Sequence, residues 1–411
     1  MSFLRSGAAS KLLGSGLLRA ETSREGDRAT TLELLFDLVY AFAFTQVTAL
    51  MVEGETGIGV IHGLVILGLL WGPWSSFAWL SNQAHADRGV VRVGVITATV
   101  IMFAASLAVP AAYRAPNDPV FGALLFAVCY LLVQIVHTVV YLLAAGTDAA
   151  LRRQIVLTEL SAMFPAAALL VIGALVGAPF QVWIWLVAFV LQWLMIYLTS
   201  NGGNWRVNSV AHFAERHGLV VLLALGESVV AIGTGAARLV LDASVLVGAV
   251  FAIGIGIGMW WSYFPHLAPN TERLVTRKLG VERSGMATET YTYLHFTLIA
   301  GIVIAALGIE TTMAEVADAA ASGWFPAIAL GGGVSLYLAG TGLVWRRVSG
   351  EWAVLRFAAA TLALVLIPAL AFVPALLALA LVLLVVLALA VAEQLLGPRA
   401  KLPARPGAST V

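Results

Sequence analysis

The chain has 411 residues, of which 61% are hydrophobic and only 11% charged, and its formal net charge is +1. Water-soluble domains run near half apolar and a quarter charged, so a soluble fold is excluded, and so small a net charge offers no field for nucleic acid. The single cysteine, Cys129, excludes an internal disulfide and any cysteine-based metal site, and within its apolar run it reads as a small buried side chain.

Residues 1–31 hold Arg5, Lys11, Arg19, Arg24 and Arg28 among short apolar clusters. Those clusters are too short for a cleavable signal, so the segment reads as a basic cytoplasmic arm. Twelve mostly apolar stretches follow, at about 32–52, 57–80, 91–112, 119–144, 154–176, 180–200, 213–236, 243–265, 290–312, 324–345, 351–371 and 374–394. Each approaches the roughly 20 residues that a membrane-crossing helix needs. The predicted fold is therefore all-α, a polytopic transmembrane bundle of about twelve spans. Residues 269–288 form the longest and most charged internal segment and read as a cytoplasmic loop. The tail 397–411, rich in Pro, Gly and basic residues, reads as disordered.

Cytoplasmic loops accumulate Lys and Arg. With the N-terminus inside, the inner segments collect nineteen of the 23 basic residues: the five of the arm, Arg88, Arg92, Arg152, Arg153, Arg206, Arg273, Arg277, Lys278, Arg283, Arg346, Arg347, Arg399, Lys401 and Arg405. The outer loops collect two, Arg114 and Arg238, and are acidic at Glu53, Glu55, Asp118, Asp242, Glu315 and Asp318. An error in the span count would have mixed the two sets. The expectation is a cell membrane protein with both termini cytoplasmic.

Placing Leu35–Phe42 over Leu225–Ile232 sets Asp37 on Glu227. Further on, Trp74-Ser75-Ser76-Phe77 falls over Trp261-Ser262-Tyr263-Phe264, and Tyr130 and Tyr337 occupy spans 4 and 10. This predicts a duplicated six-helix unit, 32–200 and 201–396. Six spans is an even number, so the copies share one orientation, related by an axis along the membrane normal. The two acids should then lie at similar depth.

Charges at membrane depth are costly and usually face the bundle interior or a water-filled cavity. The candidates are Glu33, Asp37, Glu159, Glu227 and Glu310, with His62, His137 and His295. Glu33 and Asp37 are four residues apart on one helical face, flanked by Tyr40, and Thr48 returns to that face. This is either a polar stripe lining a pathway or an acid pair held structurally. His212, Glu215, Arg216 and His217 form a cluster at the cytoplasmic end of span 7, for which a solvated helix end with ion pairs is the plainer reading. Glu227, followed by Ser228, lies about nine residues beyond Gly218, hence roughly 14 Å deeper, with no Lys or Arg within a turn. It is either protonated or partnered from another helix. His295 could titrate near neutrality, or be a satisfied packing residue. Gly254, Gly256 and Gly258, and Gly331 to Gly333, sit inside apolar spans and read as close helix packing. The histidines lack a metal-binding spacing.

The run Leu32–Gln46 and the run His212–Gly233 resemble signatures of the bacterial low temperature requirement A (LtrA) family, and Trp260–Phe264 and Tyr293–Phe296 look like further blocks of it. The likeness covers roughly residues 30–345. In one respect the chain departs from the family, whose loop after span 2 is more acidic; here Asp87 is nearly alone. The resemblance implies a link to growth in the cold and names no substrate. Over a short stretch, span 1 is also similar to the Phe-Ser-Asp segment of a duplicated six-helix potassium channel family.

The function expected is a transporter or ion-conducting protein. It would bind a monovalent cation, proton or small solute through Asp37 and Glu227, with Glu33, Ser228, Tyr40, Thr48 and His295 along the route. The alternatives are an intramembrane enzyme acting on lipid and a non-transporting membrane stress factor. Membrane lipid is the expected surrounding partner, and no cofactor is implied.

Overall fold

The computed structural model describes residues 26–53, 55–113, 119–200, 205–318 and 320–396. The expectations for residues 1–25 of the basic arm and for the tail 397–411 lie outside the described residues.

Twelve helical spans are long and apolar enough to cross a membrane: α1 (Thr31–Val52), α2 (Gly57–Gln83), α3 (Gly89–Ala111), α4 (Phe121–Ala144), α5 (Ala149–Val176), α6 (Gln181–Ser200), α7 (Val210–Ala236), α8 (Ala243–Thr276), α9 (Gly280–Ala314), α10 (Trp324–Ser349), α11 (Val354–Phe372) and α12 (Ala375–Leu396). A lipid core offers backbone groups no water, and the helix satisfies them internally. The polar residues between spans set the starts. Thr30 caps α1 and exchanges a capping box with Glu33, and Ser209, Asp148 and Asp242 cap α7, α5 and α8. Side chains such as Val100, Leu160 and Leu384 stay exposed on the outer faces, as a lipid-facing surface requires. The protein is a polytopic helical membrane bundle.

The segment 269–288 is not the irregular loop its charge suggested. Leu267–Thr276 and Gly280–Ala287 are helical, and the first packs beneath α7 and α10. Leu267, Thr271 and Val275 are its buried face. Their i, i+4, i+8 spacing is the helical period, which the high charge of the segment obscured.

Within the first six spans α1 packs on α2 and α3, α3 on α4, α4 on α5, α5 on α6, and α2 on α4 and α6. The same pairs recur in the second six: α7 on α8 and α9, α9 on α10, α10 on α11, α11 on α12, and α8 on α10 and α12. Between the sets the packing is one-sided. Spans α1 and α2 both meet α7 and α9, whereas α8 makes no comparable packing on α1 or α3. A two-fold axis would require both halves of that exchange.

Close approach depends on glycine where the sequence placed it. A Cβ at Gly258 would lie 2.5 Å from Val386 Cγ2, and one at Gly254 would lie 2.8 Å from Leu383 Cδ1, so these glycines seat α12 on α8. A Cβ at Gly333 would strike the backbone of Ala305, joining α10 to α9.

Candidate functional site

The i, i+4 pair on α1 meets an i, i+4 pair on α7. Arg216 Nη1 donates to Glu33 Oε1 at 2.5 Å, and Nη2 donates to Asp37 Oδ1 at 2.7 Å. His212 Nε2 lies 3.0 Å from Glu33 Oε1. Asn82, at the end of α2, accepts the Asn208 N–H through Oδ1 and turns its amide Nδ2 toward His212 Nδ1 at 3.5 Å. Two acids thus face one guanidinium and one imidazole. Asp37 Oδ2 and Arg216 Nε are buried with no partner among the described residues.

This corrects the reading of the α7 cluster as a solvated helix end. Arg216 is 1% exposed, His212 3% and His217 0%. Only Glu215 keeps to the surface, where its Oε2 accepts the Ala29 N–H at 2.8 Å and its Oε1 lies 3.6 Å from Arg28. Basic side chains on the first turns of a helix look solvent-bound until a neighbouring helix supplies acids, here to His212 and Arg216.

Aromatic rings close the ion-pair group. Trp74 Nε1 donates to Asp37 Oδ1 at 2.9 Å, and the Trp74 ring meets His217 edge-on. His217 also meets Tyr291 and, with centroids 5.3 Å apart, His295. His295 Nδ1 faces the Thr290 carbonyl at 2.8 Å, so Nε2 accepts from the Tyr263 hydroxyl at 2.9 Å. Both ring nitrogens are satisfied, which favours the packing reading of this residue. Tyr40 is buried beside Phe36 with its hydroxyl unpartnered.

Glu227 stands apart. Its Oε2 accepts from the Thr45 hydroxyl of α1 at 2.7 Å, and Ser228 Oγ beside it is buried without a partner. Thr48 donates to the Phe44 carbonyl. Among the described residues no basic side chain pairs with Glu227. Of the two alternatives for it, protonation or a partner from another helix, the structure leaves both open and supplies a neutral hydroxyl from α1. The expected similar depth of Asp37 and Glu227 is not seen. Asp37 sits beside Arg216, and Glu227 is eleven residues further along α7, about 16 Å. Along α1, from Asp37 to Thr45, the separation is about 12 Å. The two acids belong to different layers, and the structure does not bring His295 to Glu227.

Thr45, Trp74 and Asn82 carry much of this geometry; Thr45 and Asn82 were not singled out from sequence, and Trp74 was noted only in the repeat alignment. One signal for the ion pair was available: Glu33/Asp37 and His212/Arg216 are acid and base pairs with the same four-residue spacing.

The sequence matches the family model described as Bacterial low temperature requirement A protein (LtrA) over residues 28–391. It is 26% identical over 348 residues to an uncharacterized protein of Rhizobium meliloti (strain 1021), covering 81% of this chain and 80% of that protein. No solved structure matches significantly.

Proposed function

The chain belongs to the bacterial low temperature requirement A (LtrA) family, and from that premise we propose that it is a cell membrane transporter or ion-conducting protein that handles a proton or small cation at Glu227. The observation that carries this reading is the Glu227 carboxyl itself. It lies in the interior of α7, 4% exposed, hydrogen-bonded across the α1–α7 contact to Thr45 and lacking a counter-charge. A lone carboxylate in a low-dielectric interior is costly, so it either holds a proton or takes up a cation. Thr45 and Thr48 supply neutral hydroxyl oxygens to it, the ligand type that hard cations accept. Glu33, Asp37, His212 and Arg216 are then the lock that holds α1 against α7 and fixes the position of Thr45. Both termini lie in the cytoplasm in this proposal, supported by the one-sided basic residues.

Glu227→Gln keeps shape and hydrogen bonding and removes the charge. In reconstituted vesicles the wild-type protein should pass protons or monovalent cations, and the variant should lose most of that flux while remaining monodisperse. Full flux in Glu227→Gln would refute the assignment. No flux of any such ion through folded wild-type protein would refute the transport reading.

A further inference from the structure

A second intramembrane acid lies on the opposite side of α2. Glu159 Oε1 is 3.0 Å from His137 Nδ1, and His137 Nε2 is 3.2 Å from the Ser76 carbonyl. The carbonyl can only accept, so Nε2 carries hydrogen. The remaining contact is met either by an imidazolium and a carboxylate or by a neutral ring and a carboxylic acid. In both forms the pair has no net charge. The second oxygen, Glu159 Oε2, is buried with no partner, and the residue is 2% exposed.

That pair lines a cavity of ≈ 60 Å³ between α2, α4, α5, α6 and α9. At ~30 Å³ for each water in the liquid, this is room for about two waters or for an ammonium head with a carbon or two. Six of its lining side chains are aromatic: Trp71, Trp79, Trp193, Trp205, Tyr141 and Tyr293. Among the described residues no Lys or Arg lines it. Besides Glu159 Oε2, two further polar atoms on its wall are buried and unpartnered, the Tyr141 hydroxyl and Trp205 Nε1.

Two helix irregularities converge here. α5 widens into a π-helical turn at Glu159–Met163, and α9 does so at Thr288–Leu294. Glu159 and Met163 from the first, and Thr288, Thr292 and Tyr293 from the second, all face the cavity. Such turns recur at functional sites because they re-aim side chains and free a backbone carbonyl. One such carbonyl, Thr292 O, accepts from Trp71 Nε1 at 2.7 Å, and Thr292 Oγ1 accepts from Trp79 Nε1 at 3.0 Å. These bonds pin the two indoles against α9.

We propose that this cavity is a binding site for a small organic ammonium group, with Glu159 Oε2 accepting from the ammonium and the surrounding rings supplying cation–π attraction. An acceptor oxygen whose partner oxygen is already engaged, aromatic walls and the absence of Lys and Arg from the described lining together favour a cation over an anion or an apolar guest. The site shares no residue with the Glu227 layer, so the two assignments can fail separately.

The test uses the full chain in detergent, titrated with methylammonium chloride against sodium chloride at equal ionic strength and read by tryptophan fluorescence, since four indoles line the cavity. Wild type should give a saturable change, and Glu159→Gln a loss of affinity of about tenfold or more. Acetamide, of similar size and uncharged, should give none. A flat wild-type response means that the cavity holds water only and overturns the proposal, as does equal binding of acetamide or an unchanged Glu159→Gln. Should Glu159→Gln not fold, Trp205→Leu at the cavity wall decides: several-fold weaker binding supports the site, and unchanged binding overturns it.

Discussion

Arg216 and Asp37 are 179 residues apart in sequence, and their side chains meet at 2.7 Å in the dry interior of the bundle. Because Arg216 also holds Glu33, one guanidinium ties two turns of α1 to α7. Taking these charges out of water is costly, and the cost is offset only while all partners are present.

Removing the base should therefore cost more than removing either acid. Arg216→Ala leaves two buried carboxylates without their cation, a loss of about 3–5 kcal/mol for a broken buried pair. Asp37→Asn leaves Arg216 bonded to Glu33 and should cost less. Thermal unfolding in detergent checks the order, and equal stability of the two variants would show that the pairing is not what holds α1 to α7.

The uneven distribution of basic residues predicts which surface faces out. On a Cys129→Ala background, a cysteine at exposed Arg238 should react in intact cells with an impermeant thiol reagent, and one at exposed Thr276 should not. The opposite labelling would invert the orientation.

The α9–α10 contact has no room for a side chain at Gly333. Gly333→Val should force the two helices apart and lower the unfolding temperature, whereas Gly332→Ala, with open space at its Cβ, should be close to neutral. Similar melting of both variants would argue that the helices are not so closely joined.

Just past the C-terminal end of α9, burial pushes the Glu315 carboxyl up, reinforced by the negative charges of Glu55 and Asp318. An acid raised on folding weakens the fold once the pH exceeds its ordinary range, because the unfolded chain releases the proton first. Stability should therefore fall as the pH rises from mild acid to neutrality. Glu315→Gln should melt higher than wild type at neutral pH and match it in mild acid. A constant difference across that range would exclude titration of Glu315 as the cause.

Much of the architecture was legible without coordinates. The lipid core imposes a length and an apolar composition on every crossing segment, and all twelve stretches written in the sequence are helical, ten of them within five residues of their expected bounds, while α8 runs past its expected end and α9 starts before its expected beginning. Glycine patterns were legible for the same reason: Gly254 and Gly258 return to one face, and that face meets α12. The helical face of 267–276 was harder to see, since three buried residues in a ten-residue helix form too short a stripe to stand out.

Which polar residues work together was decided by tertiary structure. Periodicity assigns a side chain to a face of its own helix and carries no information about which helix lies opposite, or at what height. Glu33 and Asp37 could as well have lined a pathway; they face Arg216 because α1 and α7 pack at a register that only the assembled bundle sets. That same register places Thr45 at Glu227 and puts Asp37 about 12 Å away, separating two acids that the repeat alignment had joined. The sequence by itself determined that charges would be buried in a helical membrane bundle, because composition and span length dictate it. Their partners depended on contacts between separate helices, and such contacts exist only once the helices have packed.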